Sequence, residues 1–196
     1  MASSFSDLGI ELMATGENAG TWGTKTNNNL SLIEQLTGGF ATLSIAGGAG
    51  NQDLTISDGA LTGTAQHRVI EFTGSISGNR IITIPNDVET FYILKNSTTG
   101  AYTVQFKYVS GSGSSFTFAT TNKKTATVQA TADDGTNPNI IEIQTGGDVV
   151  DDTSPQLGGD LDVNGNKIVS TSNGNIELEP NGTGDVTVSY THLRAH

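Results

Sequence analysis

Asp160, Asp162, Asn164 and Gly165 follow one another as D-x-D-x-N-G, the way a calcium-binding loop begins. Oxygen ligands at positions one, three and five, with a glycine at the bend, let such a loop wrap a hard cation. The pattern then stops. Position twelve, which should be a bidentate Glu, is Thr171, and Leu161 and Val163 alternate with the acids as strand residues do. The stretch reads as a strand and a turn, and no metal is assigned to it. Glu177 and Glu179 stand two apart, on one side of a strand, and paired carboxylates are the machinery of glycosidic cleavage. Pro180 and Asn181 mark a turn beside them, so the pair reads as a solvated strand face. His67 precedes a strand-like run, while His192 and His196 sit at the far end, so no triad can be built from them. Asn96-Ser97-Thr98 and Asn181-Gly182-Thr183 match the N-glycosylation triplet, a chance match in a chain this rich in Asn and Thr. No catalytic, cofactor-binding or metal-ligating residue is assigned, no cofactor is implied, and the chain reads as non-enzymatic.

The elements around these residues are mostly strands. HRVIEF, RIITIP, TFYILKN, YTVQFKYV, SFTFA, TATVQA and NIIEIQ, between His67 and Gln144, alternate apolar and polar residues between turn-forming stretches. This predicts a mainly antiparallel all-β fold, a small β-sandwich or β-roll. Its expected core is Ile82, Ile84, Tyr92, Leu94, Val104, Phe106, Phe116, Phe118, Ile141 and Ile143. Phe40 to Gly63 reads as weaker strands (FATLSI, DLTI, ALTG), and Met1 to Met13 is only weakly patterned. Thr24 to Leu36 predicts a short helix with Leu30, Ile33 and Leu36 on its apolar face and Gly38-Gly39 as its stop. So short a helix needs a surface to pack on. The only tryptophan, Trp22, is expected to pin the preceding loop to a neighbour. After a linker at Gly146 to Pro155, Asn164-Gly165, Asn173-Gly174 and Asn181-Gly182 recur every eight or nine residues between four-residue runs. Asn-Gly is the strongest short hairpin signal, and strands this short cannot bury a core alone. The expected organisation is an attachment segment with the helix at 1–38, the β-domain at 39–146 and the start of a repetitive β-stalk at 147–187.

Composition limits the partners. The formal charge is −11, with nine acids against seven bases up to Ala132 and eleven acids against Lys167 alone from Asp133 to Thr187. An acidic surface of this kind repels phosphate backbones, so nucleic acid is excluded as a partner. There is no cysteine, and no apolar run of membrane-spanning length or basic leader that would signal insertion or export. With 34% apolar and 6% aromatic residues the chain is lean for a compact core of 196 residues.

Three stretches resemble the tail-fibre proteins of marine phages, notably those infecting cyanobacteria. ELMATGENAGTWGTKTNNNLSLIEQ, Glu11 to Gln35, is similar to their N-terminal T-G-E-N-x-x-T-W-G-x-x-x-N-x-N-L-x-L-I-E pattern and is the most specific of the three. HRVIEFTGSISGNRIITIP, YILKNSTTGAYTVQFK and KKTATVQATADDGTN together resemble a β-domain of such fibres, and DDTSPQLGGDLDVNGNKIVS resembles a shaft motif. The likeness covers most of residues 11–173. It implies a homotrimer in the virion, joined to other tail proteins, made in the host cytoplasm without a signal peptide. Host glycan or protein would be met through a C-terminal tip lying beyond this fragment. It identifies no catalytic or receptor-contacting residue. Val188 to His196, VSYTHLRAH, resembles a translated transposon-type sequencing adapter and is set aside as an artefact. Two other readings compete: a fragment of a polysaccharide-degrading tailspike, which wants converging acids, and a cellular surface adhesin, which wants a secretion signal.

Overall fold

The computed structural model describes residues 2–121, 123–143, 161, 163–170, 173–180 and 182–187. The chain divides into two compact units, residues 1–147 and 148–196.

Unit 1 opens with a small antiparallel hairpin, β1 (Ser4–Phe5) and β2 (Glu11–Leu12), in the stretch whose sequence is weakly patterned. Helix α1 (Trp22–Gly38) follows and is longer at both ends than the expected Thr24 to Leu36. Asn18, in the left-handed region at φ 59°, turns the chain into it. The Asn18 carbonyl then accepts the N–H groups of Thr21 and Trp22, each at 2.8 Å. Gly39 closes the helix by donating its N–H to the Gln35 carbonyl at 2.8 Å. A Cβ on Gly39 would lie 2.5 Å from that same oxygen, so only glycine makes the turn.

The buried helix face differs from the expected one. Leu32 and Leu36 are buried, whereas Leu30 and Ile33 are exposed. The reason lies in the polar residues one turn away. Asn28 donates to the Gly59 carbonyl, Asn29 grips the backbone of Glu11, and Gln35 reaches the Leu61 carbonyl. These bonds turn the 28/29/32/36 stripe inward, and Leu30 and Ile33 follow to the outside. Trp22 does not pin a loop either: it is the first residue of α1 and is 64% exposed.

Nine further strands form two sheets: β3 (Phe40–Ser44), β4 (Gly50–Asp53), β5 (Val69–Thr73), β6 (Arg80–Ile84), β7 (Thr90–Asn96), β8 (Val104–Tyr108), β9 (Phe116–Phe118), β10 (Thr125–Ala130) and β11 (Ile140–Ile143). One sheet has the order β11-β10-β7-β5-β3 and the other β4-β6-β8-β9. The seven stronger runs are all strands. Of the weaker ones FATLSI is β3, but the next strand is Gly50–Asp53 rather than DLTI or ALTG.

The expectation of a mainly antiparallel fold is corrected by the ladders. From β3 to β8 the chain alternates between the sheets, so it forms three stacked coils whose neighbouring strands are parallel. Phe40 pairs with Val69 and Val69 with Ile93 in one sheet; Gly50 pairs with Arg80 and Arg80 with Val104 in the other. The pairings β1–β2, β8–β9, β7–β10 and β10–β11 are antiparallel, so the eight described pairings divide equally. Period-two alternation is the same for either direction when one face is wet, so it does not report direction. The short turns after β5, β6 and β7 suggest hairpins, but each carries the chain to the opposite sheet. Passage through that sheet supplies the dozen or more residues a parallel return requires.

One core lies between the sheets. Ile70, Phe72, Tyr92, Leu94 and Val128 come from the first, and Ile82, Ile84, Val104, Phe106, Tyr108 and Phe118 from the second. Tyr92 meets Phe106 edge to face at 5.5 Å, and its hydroxyl donates to the Ala65 carbonyl at 2.8 Å, satisfying its one polar atom. The Tyr108 hydroxyl donates to Val88 and accepts the Ala132 N–H, both at 2.8 Å; burial pushes its pKa up to about 12. Eight of the ten expected core residues are buried. The two in β11 are not, because Ile140 rather than Ile141 pairs with inward-facing Ala130, and Ile141 and Ile143 fall on the other side.

The coils are tied at their corners by asparagines. Asn79 Oδ1 accepts the Thr103 N–H at 3.1 Å and Asn86 Oδ1 that of Ser110 at 3.2 Å. Asn137 and Asn139 do the same for Ser112 and Ser114, each at 2.8 Å. Each satisfies a turn N–H that no strand reaches. At another corner Gly100 has φ 106° and a Cβ there would lie 2.2 Å from the Ile76 carbonyl, so two separate constraints select glycine.

Unit 2 is built differently. Among its described residues there are turns and no strand. Asn164 (φ 47°) and Gly165 (φ 77°) sit at the centre of a turn closed by the Asn166 N–H on the Val163 carbonyl at 2.9 Å. Two successive left-handed residues make it the hairpin-type turn that Asn-Gly favours. The tail 188–196 lies outside the described residues.

Candidate functional site

The residues that first suggested chemistry do not form a site. Asp160 and Asp162 lie outside the described residues, and Asn164 takes part in the turn just described. Glu177 and Glu179 are both exposed. His67 is half-buried, and burial lowers its pKa below the ordinary 6.5. Asn96 of the first glycosylation triplet is buried, its Oδ1 accepting the Thr98 N–H and hydroxyl at 3.1 and 2.7 Å, so that triplet faces the core. Asn181 of the second is outside the described residues. Among the described residues no three His, Asp or Glu side chains group to hold a metal ion, and no helix is long and apolar enough to cross a membrane.

What the structure does assemble is the Glu11 to Leu36 stretch. Glu11 is buried on β2, and its carboxylate meets Lys25 Nζ of α1 at 2.9 Å and Asn18 Nδ2 at 3.2 Å. The Lys25 bond is the main reason its pKa lies below the ordinary 4.5, against the opposing effect of burial. Asn29 completes the clamp from α1: its Oδ1 accepts the Glu11 N–H at 3.0 Å and its Nδ2 donates to the Glu11 carbonyl at 2.9 Å. A side-chain amide thus plays the part of a neighbouring strand. Ser3 and Glu17 close the far side through a 2.7 Å bond. Glu11, Asn18, Lys25 and Asn29 are therefore a clip that fastens the N-terminal hairpin to the helix.

The clip leaves a platform. Trp22, Leu30 and Ile33 of α1 are exposed, and at the end of the helix an open cleft of about 570 Å³ lies among Ser31, Glu34, Gln35, Phe40, Leu61 and His67. Gln35 bridges its floor, with Nε2 at 3.5 Å from both the Leu61 carbonyl and His67 Nδ1. Exposed apolar side chains beside a rigid helix suit docking of another apolar surface. Sequence reasoning placed the motif but missed the clip, since Glu11 and Lys25 lie far apart along the chain; the one signal was an acid heading so Asn-rich a segment.

No protein-family model, no curated protein and no solved structure matches the chain.

Proposed function

We infer that this chain is a structural subunit of a phage tail fibre or virion appendage, assembled as a homotrimer. In this reading residues 1–38 attach to other tail proteins, the β-domain at 39–146 is a β-roll, and 147–187 begin a β-stalk. The stalk holds a tip that binds host-surface glycan or protein. Its mechanism is geometry and multivalency: many identical fibres turn weak contacts into avidity through effective concentration.

The observation that carries the reading is in unit 2. Leu161, Ile168, Val169, Ile176, Leu178 and Val186 are all between 50% and 69% exposed, separated in sequence by Asn-Gly pairs. Apolar residues at that density leave water only when other chains supply the opposite wall. The resemblance of Glu11 to Gln35 to fibre N-termini supports the same reading.

Light scattering after gel filtration on residues Met1 to Thr187 tests it. Three chain masses are expected. A folded monomer would overturn the stalk reading for this chain.

A further inference from the structure

The two sheets of unit 1 each have an outer face, and the two faces are unlike. On the four-stranded sheet the rows are polar but for Ile81: Asn51, Ile81, Gln105 and Thr117 in one, Asp53, Thr83 and Lys107 in the next. On the five-stranded sheet one row runs Phe40, Val69, Ile93, Thr127, Ile143 across all five strands in unbroken register. Phe91 and Ile141 stand beside it, flanking Gln129. None of the apolar members is buried, and Phe40, Phe91 and Ile141 are 55%, 47% and 48% exposed. Those three alone leave on the order of 300 Å² of apolar surface in water, given the area such side chains carry. Single exposed apolar residues are ordinary, but the row together with Phe91 and Ile141 forms an apolar face that marks an interaction surface.

The charges on that face admit a second copy of it. The chain carries −11, yet the charged side chains of this face, Glu71 and Lys95, pair with each other at 2.8 Å. Ser97 also donates to Glu71 at 2.6 Å, which ties up the same carboxylate oxygen. The face is neutral by internal pairing, so a like face meets it without repulsion, and it offers no net charge to select a basic or acidic partner. The row also holds one lateral position on every strand, perpendicular to the strands and along the stack of coils. With strands about 4.8 Å apart it is roughly 19 Å long, and identical rows match over that whole length when their coils lie parallel.

We propose that copies of this chain pack on one another through the outer face of the five-stranded sheet, with the Phe40–Ile143 row turned toward a shared axis along the coils. The number of copies, three, rests on the fibre reading; the face itself rests on register, exposure and charge.

The test compares the full chain with the double variant Phe91→Lys/Ile141→Lys. Both positions are exposed, so circular dichroism should be unchanged while the solution mass falls from three chains to one. Lys107→Glu, on the polar face, should keep the parent mass. A second measurement does not depend on breaking anything. The chain has no cysteine, so Thr127→Cys in the row and Gln105→Cys on the polar face can each be treated with a short bismaleimide. Covalent oligomers are expected from Thr127→Cys alone. A double variant that keeps the parent mass, or crosslinking at Gln105→Cys equal to that at Thr127→Cys, overturns the proposed face and leaves the fibre reading standing. A monomeric parent chain overturns both.

Discussion

Units 1 and 2 are both strings of short apolar runs separated by Gly and Asn, but they solve the problem of burial in opposite ways. In unit 1 each coil lays its apolar side chains on those of the next, and Ile82, Leu94 and Phe106 reach zero exposure within one chain. In unit 2 the described apolar side chains remain in water, and its turns join no strand ladder among the described residues. Run length is what differs. Six of the nine sheet strands of unit 1, β3, β5, β6, β7, β8 and β10, run five to seven residues and present two or three inward side chains each, enough for two sheets to share a core and to carry the shorter β4, β9 and β11, whereas the runs after Asn164 are all short. Burial within one chain thus ends, among the described residues, where the runs shorten, and on the proposed fibre reading neighbouring chains supply the rest.

The largest expected effect breaks the self-sufficient side of that contrast. Phe106→Ala removes a ring packed against Tyr92 in a fully buried position, and denaturant unfolding should show a loss of about 3–5 kcal/mol. Next is Gly100→Ala, which forces a Cβ onto the Ile76 carbonyl in a left-handed backbone; a loss of about 2–3 kcal/mol in the same transition is expected. A smaller and local effect concerns the clip. Glu11 has a folded pKa below 4.5, so the stability it contributes is present above that value and is lost as pH falls through the depressed one. Side-chain amide signals of Asn29 should therefore shift in acid before the core signals do. Lys25→Met should move that transition to higher pH, because the buried carboxylate loses its partner. Smallest of all, Leu178→Ser in unit 2 should change the unfolding of unit 1 by less than about 0.5 kcal/mol while lowering the assembled mass.

The strands from Val69 onward were legible because alternation and turn residues are local signals. Their direction was not, since Ile70 and Phe72 look the same in a parallel or an antiparallel ladder, and only the path of the turns decides. The β11 misassignment has the same root. NIIEIQ has two isoleucines in sequence, and only the pairing of Ile140 with Ala130 says which of them faces in. The helix was legible as a helix but not in its orientation, because the buried face is chosen by Asn28 and Asn29 rather than by the spacing of leucines. The clip was invisible for a related reason: a carboxylate, an ammonium and two amides scattered over Glu11 to Asn29 meet only after the hairpin folds back.

The coil register has one more consequence, for how such a chain can change length. Arg80 lies over Val104 and Val69 over Ile93, so the second turn of the coil takes 24 residues in both sheets, whereas the first, from Phe40 to Val69 and from Gly50 to Arg80, is a few residues longer. A duplication of that period would add a rung and lengthen the body by about 4.8 Å while every inward side chain stayed inward. An odd-numbered insertion within a strand would turn the following side chains inside out. Length in this domain is therefore counted in whole rungs, and reach is set by repeat number rather than by gradual growth.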